Sequence, residues 1–555
     1  MDTIQPVKRL WLLIASEKKE IASIYFYAIM SGLVQLSVPL GIQAIISFVL
    51  GASMVTSIFV LIVLVVTGVF LVGVFQMNQM KIIEKIQQRI FANYSFALAE
   101  NIPRFDLKKT DKYYLPEKSN RFFDIMNIQK GFSKLLLDIP VALIQIIFGL
   151  LLLSFYHPLF IGFAIILIII LWITGVLYSR KGIITAMQES NYKYAVASWL
   201  EEMARVIKSF KFSQGSHLNL KKTDKEVSGY LLSRTSHFKV LVFQYKTLIF
   251  FKVIITAALL SIGSYLLLNQ QLNVGEFIAA EIVILMVINA VEKLIVNLDS
   301  VYDVITGLEK LSSVIELPLE PSGNLHLNTD KNGLHLEMKD VSFEFEKNET
   351  ILHKINLNIA PFNTVCISGP DNSGKSTLLK LLSGSYNDFS GSILINKIPI
   401  GNYSLEKFRE NTGMFLNNQD LFSGTLWENI SMGLEDVKID EITSLAYELG
   451  IEDTFTQLSE GFETRIEPIG HKLSSTLVRK ILLLRAFANE PSLLLLESPW
   501  QGLDNITTEK IKQYILKKKS KATIIIVCND QSFAGECDIK IELVNGTINN
   551  LQTNK

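Results

Sequence analysis

Six apolar runs, each long enough to cross a bilayer as a helix, fill roughly the first 300 residues and leave few folds open to this chain. A spanning helix takes about 20 apolar residues. Runs that qualify lie at about Ile21–Leu50, Met54–Gln76, Leu135–Tyr156, Leu159–Tyr178, Val242–Leu268 and Phe277–Val296. The short turns at Gly51–Met54, around His157-Pro158 and at Asn269–Gly275 hold no Lys or Arg, whereas the connections 78–134 and 179–241 are rich in both. Basic connections stay on the cytoplasmic side. The expected topology is therefore multi-pass, with the short turns facing out and both termini in the cytoplasm. Lys8, Arg9, Lys18 and Lys19 precede the first run, and no small-residue cleavage site follows it. A retained first helix is expected rather than a signal peptide.

Each long connection has nearly 60 residues and reads as helical, with stretches such as Lys81–Ala99 and Tyr194–Lys208. At about 1.5 Å per residue, a down-and-up hairpin of that length projects roughly 40 Å below the membrane. Two solvated coiled hairpins would satisfy the pattern. Docking of their tips onto an attached soluble domain explains better why there are two of equal length.

The remaining sequence has the mixed composition of a soluble domain. It begins near Leu334, after a linker containing Pro318, Pro321 and Gly323. This gives expected boundaries of 1–315 for the membrane domain, 316–333 for the linker and 334–555 for the soluble domain. The formal net charge of the 555 residues is zero, so nothing in the bulk electrostatics points to nucleic acid. Cys366, Cys528 and Cys537 all lie in the soluble part and read as reduced thiols rather than a disulfide framework or a metal site.

The run Gly369-Pro370-Asp371-Asn372-Ser373-Gly374-Lys375-Ser376-Thr377 is a complete phosphate-binding loop. The apolar stretch Thr364–Ser368 precedes it as a strand, and a helix over Ser376–Ser383 follows. Gly369 and Gly374 let successive backbone N–H groups curl around phosphate oxygens. Lys375 reaches the terminal phosphates, and Ser376 offers its hydroxyl to Mg²⁺. ATP with Mg²⁺ is the expected ligand.

A six-helix membrane block with two long cytoplasmic hairpins, followed by a P-loop domain, resembles a half-transporter of the ABC exporter family. The peptide, toxin and type I secretion branch is the most similar. The fold expected is a polytopic α-helical membrane domain plus an α/β nucleotide-binding domain. The peptidase domain of some relatives is not expected, since few residues precede the first run. The hairpin tips, about Thr110–Phe122 (with Leu115-Pro116-Glu117) and about Phe212–Leu220, would be the coupling helices.

The resemblance assigns further roles by position. Phe345, in the alternating strand Val341–Phe345, takes the place of the adenine-stacking aromatic, unless it is an ordinary strand aromatic. Asn417 stands where the family has the glutamine that senses Mg²⁺ and water, with Gln419 near enough to substitute if the loop shifts. The signature LSGGQ reads Leu473-Ser474-Ser475-Thr476-Leu477, keeping Ser474 but losing both glycines. Glu497 takes the place of the Mg²⁺-orienting aspartate, and Ser498 that of the general base. Gly502-Leu503-Asp504 keeps the D-loop aspartate, while Asn529 replaces the switch histidine. No catalytic group is intact, so slow turnover is expected: general base catalysis alone is worth roughly 10²–10⁴ in rate.

Nucleotide in this family is sandwiched between one subunit's P-loop and the other's signature helix. The resemblance therefore implies a homodimer or a heterodimer with a second half-transporter. It also implies a lipid environment in a bacterial cytoplasmic membrane and, for the secretion-type branch, a periplasmic adaptor and outer-membrane channel. In the last apolar run Glu281 and Glu292 lie eleven positions apart, about three turns, and so share a face. They are candidates for a substrate path, or else are satisfied by Gln35, Gln43 or Gln145 on other helices. Exporter subunit, ATP-binding scaffold and tethered ATPase are the competing functions. Six spans with two matched hairpins exceed what a tether needs.

Overall fold

The protein is described here in a computed structural model covering residues 4–51, 55–213, 217–327, 333–345, 349–456, 458, 460–470 and 472–553. The turn expected at Gly51–Met54, the centre of the tip Phe212–Leu220 and part of the linker 316–333 lie outside these residues. Two compact units emerge: Met1–Pro103 with Tyr113–Leu317, and Arg104–Lys112 with Pro318–Lys555.

The first unit is helical: α1 (Ile4–Ser16), α2 (Lys18–Gln35), α3 (Ser37–Leu50) and α4 (Val55–Asn101), with α5 (Leu107–Thr110) set apart in the other unit. After it come α6 (Leu115–Ser119), α7 (Asp124–Tyr156), α8 (Leu159–Arg205), α9 (Ile207–Phe212), α10 (Leu218–Leu268), α11 (Val274–Val296) and α12 (Leu298–Ile315). At 1.5 Å per residue α4, α8 and α10 are about 70–80 Å long. A hydrocarbon core is about 30 Å thick, so the excess length of these helices supplies the long basic connections. Five stretches, Lys18–Leu50, Thr56–Arg104, Leu115–Tyr156, Leu218–Leu268 and Val274–Ile315, are long and apolar enough to cross a membrane. The fourth expected span, Leu159–Tyr178, is helical in α8, but many of its side chains lie outside the described set.

The first expected span is broken between α2 and α3. Pro39 has no N–H to give the Gln35 carbonyl, and Leu36 closes a tighter turn onto Leu33 O at 3.2 Å. Helices α7 and α11 form the centre of the unit. Gly149 lets Val287 approach so closely that an added Cβ would lie 2.6 Å from its methyl. In the apolar window of α7 56% of residues are buried, against 6% in that of α4, where Phe59, Val66 and Phe70 are exposed. A face of that kind suits lipid or another protein surface rather than water.

The second unit is built on two main sheets and a two-stranded ladder of β7 (Gly424–Thr425) with β8 (Arg465–Ile466). In the antiparallel sheet β2 (Thr350–Ile359), β1 (Leu336–Glu344), β4 (Ser390–Ile395) and β5 (Ile398–Pro399) lie side by side. The larger sheet has six strands in the order β12 (Thr547–Thr553), β11 (Ile539–Val544), β3 (Thr364–Ser368), β10 (Thr523–Val527), β9 (Leu493–Glu497) and β6 (Thr412–Phe415). All are parallel except β12. Strands β9 and β10 are buried on both faces, which is why they read as unbroken runs of Leu and Ile. Around the sheets pack α13 (Lys375–Leu382), α14 (Leu405–Glu410), α15 (Leu426–Ser431), α16 (Ile439–Leu449), α17 (Asp453–Thr456), α18 (Ser475–Phe487), α19 (Asn505–Lys518) and α20 (Gln531–Glu536). Cys366, Cys528 and Cys537 are free and buried.

In the described part of the linker Gly323 N donates to Tyr403 O, Leu325 N to Asn402 O, and Arg409 grips Glu320 through both carboxylate oxygens. One expectation changes here. The segment of the first hairpin that groups with the nucleotide unit is Arg104–Lys112, which overlaps the expected tip, about Thr110–Phe122, only at 110–112. Residues Arg104–Asp106 pair with Pro318–Glu320 (Asp106 N to Pro318 O 2.9 Å, Glu320 N to Arg104 O 2.8 Å), and Asp106 caps α5 by accepting from Lys109 N. Backbone pairing thus ties this tip to the start of the nucleotide domain.

Ile525 sits mid-strand in β10, fully buried among Ile367, Leu379 and Leu495. Ile525→Ala is expected to cost the nucleotide domain about 2–5 kcal/mol of stability, read as a drop in thermal midpoint. An unchanged midpoint would contradict this placement of the core.

Candidate functional site

Because β3, β10, β9 and β6 are parallel neighbours, their carboxyl ends lie on one edge of the sheet. Val527 is level with both Glu497 and Ile367, and Phe415 with Leu496. Four chain segments leave the sheet at that edge, and they carry the P-loop, Asn417, Glu497-Ser498 and Asn529. Ligands in open α/β sheets bind at this edge. The cleft there has a volume of about 1130 Å³ and is lined by Phe345, by Asn372 through Thr377, and by Asn417, Glu497, Ser498 and Asn529.

The P-loop keeps its expected form. Gly374 has φ +95°, and a Cβ there would lie 2.7 Å from Leu352. Gly369 has φ +146°, and a Cβ there would come within 2.1 Å of the Leu543 carbonyl oxygen. A side chain at either position would distort the curl whose amides cradle an anion. The Lys375 ammonium donates to the carbonyls of Gly369 (2.9 Å) and Pro370 (2.6 Å) and to Ser373 Oγ (3.2 Å). Burial lowers Lys375 below the ordinary lysine value, a cost that an anion beside it relieves.

Glu497 joins three of the four segments. Ser376 Oγ donates to its Oε1, and the backbone N–H of Asn417 donates to its Oε2 at 2.8 Å. Hydroxyl and carboxylate oxygens in contact are the hard donors that Mg²⁺ takes, and with the glycine curl they fit an Mg–triphosphate. Ser498 follows Glu497 in the left-handed region (φ +48°), and its carbonyl accepts from Arg479 Nη2 at 2.6 Å. The Asn529 carboxamide oxygen accepts a long bond, 3.4 Å, from Gly369 N.

The other expected sites lie apart from this cleft. Ser474 caps α18 by accepting from Leu477 N (3.1 Å), and Asp504 caps α19 by accepting from Thr507 N (2.9 Å); neither lines the cleft of its own chain. Gln419 does not substitute for Asn417, because its side chain accepts from Leu416 N within its own loop. In the membrane unit Glu292 is paired with Lys252 of α10. Gln145 bonds Gln35, and Gln43 accepts from Tyr156, so these amides are engaged elsewhere than at Glu281.

Asp371 of the P-loop also lines the cleft, and sequence reading missed Ile351, Trp500, Gln501, Cys528 and Asp530, which line it too. Trp500, Gln501, Cys528 and Asp530 flank recognised positions and could have been found by adjacency. Ile351 lies on β2, and only the fold brings it beside Gly374. Of the carboxylates here, Asp530 is committed elsewhere. Partial burial opposes its ionisation, yet bonds from Lys512 (2.8 Å), Ser532 (2.6 Å) and the Phe533 amide (3.1 Å) hold it down to about 2. A carboxylate held that low is a poor proton acceptor.

The ABC transporter family profile matches residues 352–501. Over 288 residues the chain is 30% identical to a putative multidrug export ATP-binding/permease protein (YgaD) of Bacillus subtilis, covering 52% of this chain and 50% of that one. It is 32% identical over 216 residues to a probable ABC transporter ATP-binding/permease protein of Haemophilus influenzae, covering 39% of each. The aligned part thus spans about half or less of the length of these relatives. In fold it is similar to a bacterial Atm1-family ABC exporter solved with ATP bound (TM-score 0.85, 17% identity, 97% of this chain and 96% of that one). Residues 352–501 are thus an ABC transporter nucleotide-binding domain by the family profile, carried in a chain whose whole fold, a helical membrane-type domain followed by that α/β domain, is similar to that of the exporter.

Proposed function

We propose that this chain is the ATP-binding half-subunit of a dimeric exporter in a bacterial cytoplasmic membrane, that it holds Mg-ATP firmly, and that it hydrolyses ATP slowly. The observation that carries this reading is the engagement of Glu497. Both its oxygens accept from protein groups, Ser376 and the Asn417 amide, which suits holding an ion and not taking a proton. The next side chain is the Ser498 hydroxyl, which is no base at neutral pH without an activator. Bound Mg²⁺ would neutralise phosphate charge. Ser376 and Glu497 would hold it, Lys375 and the loop amides would bind the triphosphate, and Phe345 would stack on the base.

The half-site also supports a second subunit. Ser474 starts α18 away from the cleft, in keeping with a signature helix that serves the other subunit's nucleotide. Ser475 and Thr476 put side chains where the family's glycines admit phosphate, which weakens closure on the partner's ATP. The partner is a second copy or a different half-transporter with better hydrolytic groups. A peptide, protein or amphipathic small molecule is the cargo class. Glu281, for which the described residues supply no hydrogen-bond or ion-pair partner, is the candidate polar contact on its path, whereas Glu292 is neutralised by Lys252. The same engagement of Glu497 favours a second reading, in which the chain is a regulatory or scaffold subunit that closes on ATP without powering transport.

Lys375→Ala is expected to weaken ATP binding at least about tenfold, measured by equilibrium titration of the purified chain. Fast phosphate release by the unmodified homodimer, lost in Lys375→Ala, would refute the slow-turnover reading. Ser498→Glu is expected to raise the hydrolysis rate by about tenfold or more, because general base catalysis is worth roughly 10²–10⁴ and the remaining defects take part of that gain. Transport into vesicles by the chain with a partner, absent when either is omitted, separates exporter from scaffold.

A further inference from the structure

Phe345 does not stand alone at the mouth of the cleft. It meets Phe343 edge-on at 5.1 Å and Tyr386 edge-on at 5.5 Å, and those two rings stack on each other at 5.1 Å. Phe343 and Tyr386 are fully buried, while Phe345 is 37% exposed. The Tyr386 hydroxyl donates to Asp111 Oδ2 at 2.9 Å and accepts from Lys380 Nζ at 3.2 Å. Lys380 belongs to α13, the helix that opens in the P-loop, and Asp111 to the tip segment 104–112. From that same tip Lys108 lies over the Phe343 ring at 5.0 Å and donates to Asp388 Oδ2 at 2.7 Å.

We propose that Tyr386 and Phe343 form a positioning relay through which the tip segment, by way of Asp111 and Lys108, sets how Phe345 presents its ring to the base of a purine nucleoside triphosphate. The inference rests on the reading of Phe345 as the base-stacking residue and adds the regulation of that contact. Three features make the relay stiff. The two inner rings are packed without exposure, so neither can shift without displacing the other. Burial, and then the Asp111 carboxylate, raise the Tyr386 hydroxyl far above its ordinary value, so it stays a donor. Its second bond, from Lys380, ties the same ring to the helix that carries the P-loop, so the base side and the phosphate side of the ligand share one anchor. Coupling between two sites is reciprocal. If the tip governs base contact, a bound base also orders the tip.

The test uses the purified full-length chain in detergent or nanodiscs and two ligands, ATP and inorganic triphosphate, which lacks a base. Tyr386→Phe and Asp111→Asn are each expected to weaken ATP binding about three- to tenfold and to leave triphosphate binding unchanged. The double variant should be no weaker than Tyr386→Phe alone, because that variant already removes the bond that Asp111 accepts. Asp111 is exposed, so Asp111→Asn remains informative if Tyr386→Phe proves unstable. Equal losses for ATP and triphosphate, or no loss for either, overturn the relay. Phe345→Ala separates the two layers of the argument. If it leaves ATP affinity intact, the base-stacking reading falls and the relay with it. If it weakens ATP while Asp111→Asn and Tyr386→Phe do not, the relay alone falls.

Discussion

Glu497 is the joint on which the nucleotide site depends. A carboxylate with 5% exposure at the end of a fully buried strand needs partners, and it finds them in the Ser376 hydroxyl and the Asn417 amide. Those bonds fix β9 against the P-loop helix on one side and against the loop after β6 on the other. The parallel register of β3, β10 and β9 supplies the edge on which this can happen. The arrangement gives an oxygen-lined corner beside the P-loop, with both Glu497 oxygens engaged next to Ser498.

The two units answer different solvents. In the nucleotide unit Leu, Ile and Val are sealed between sheets and helices, and the exposed residues are mostly charged or polar. In the membrane unit α7 and α11 are packed inside while α4 presents large apolar side chains outward. The long helices resolve the contrast along their own length, apolar where lipid would lie and basic beyond it. The tip 104–112, although embedded in the sequence of the membrane half, packs with the other unit because its backbone pairs with residues 318–320.

Local motifs were legible from the sequence because their chemistry is local. A curl of amides needs glycines at fixed spacing, and φ +95° at Gly374 with a crowded Cβ site is the physical form of that need. Five of the six expected spans were legible because bilayer thickness sets their length without reference to neighbours. The tip expected at about Thr110–Phe122 overlaps the observed segment only at 110–112, and its Leu115-Pro116-Glu117 begins α6 in the other unit. For Glu292 the sequence left a substrate path or a glutamine partner open, and the partner found is Lys252, 40 positions away on another helix.

Periodicity, composition and the P-loop thus determined by themselves that this chain has a membrane-type half and a triphosphate-binding half; the roles expected at Ser498, Asn529 and Asn417 came from the family resemblance. Only the tertiary structure decided which groups are engaged. It spent Glu497 on Ser376 and Asn417, withdrew Asp530 to Lys512, and joined Asp111 to Tyr386 across 275 residues of sequence. The reason is geometric: a side chain's chemistry is written in its own residue, but its availability depends on what the fold brings within 3 Å of it.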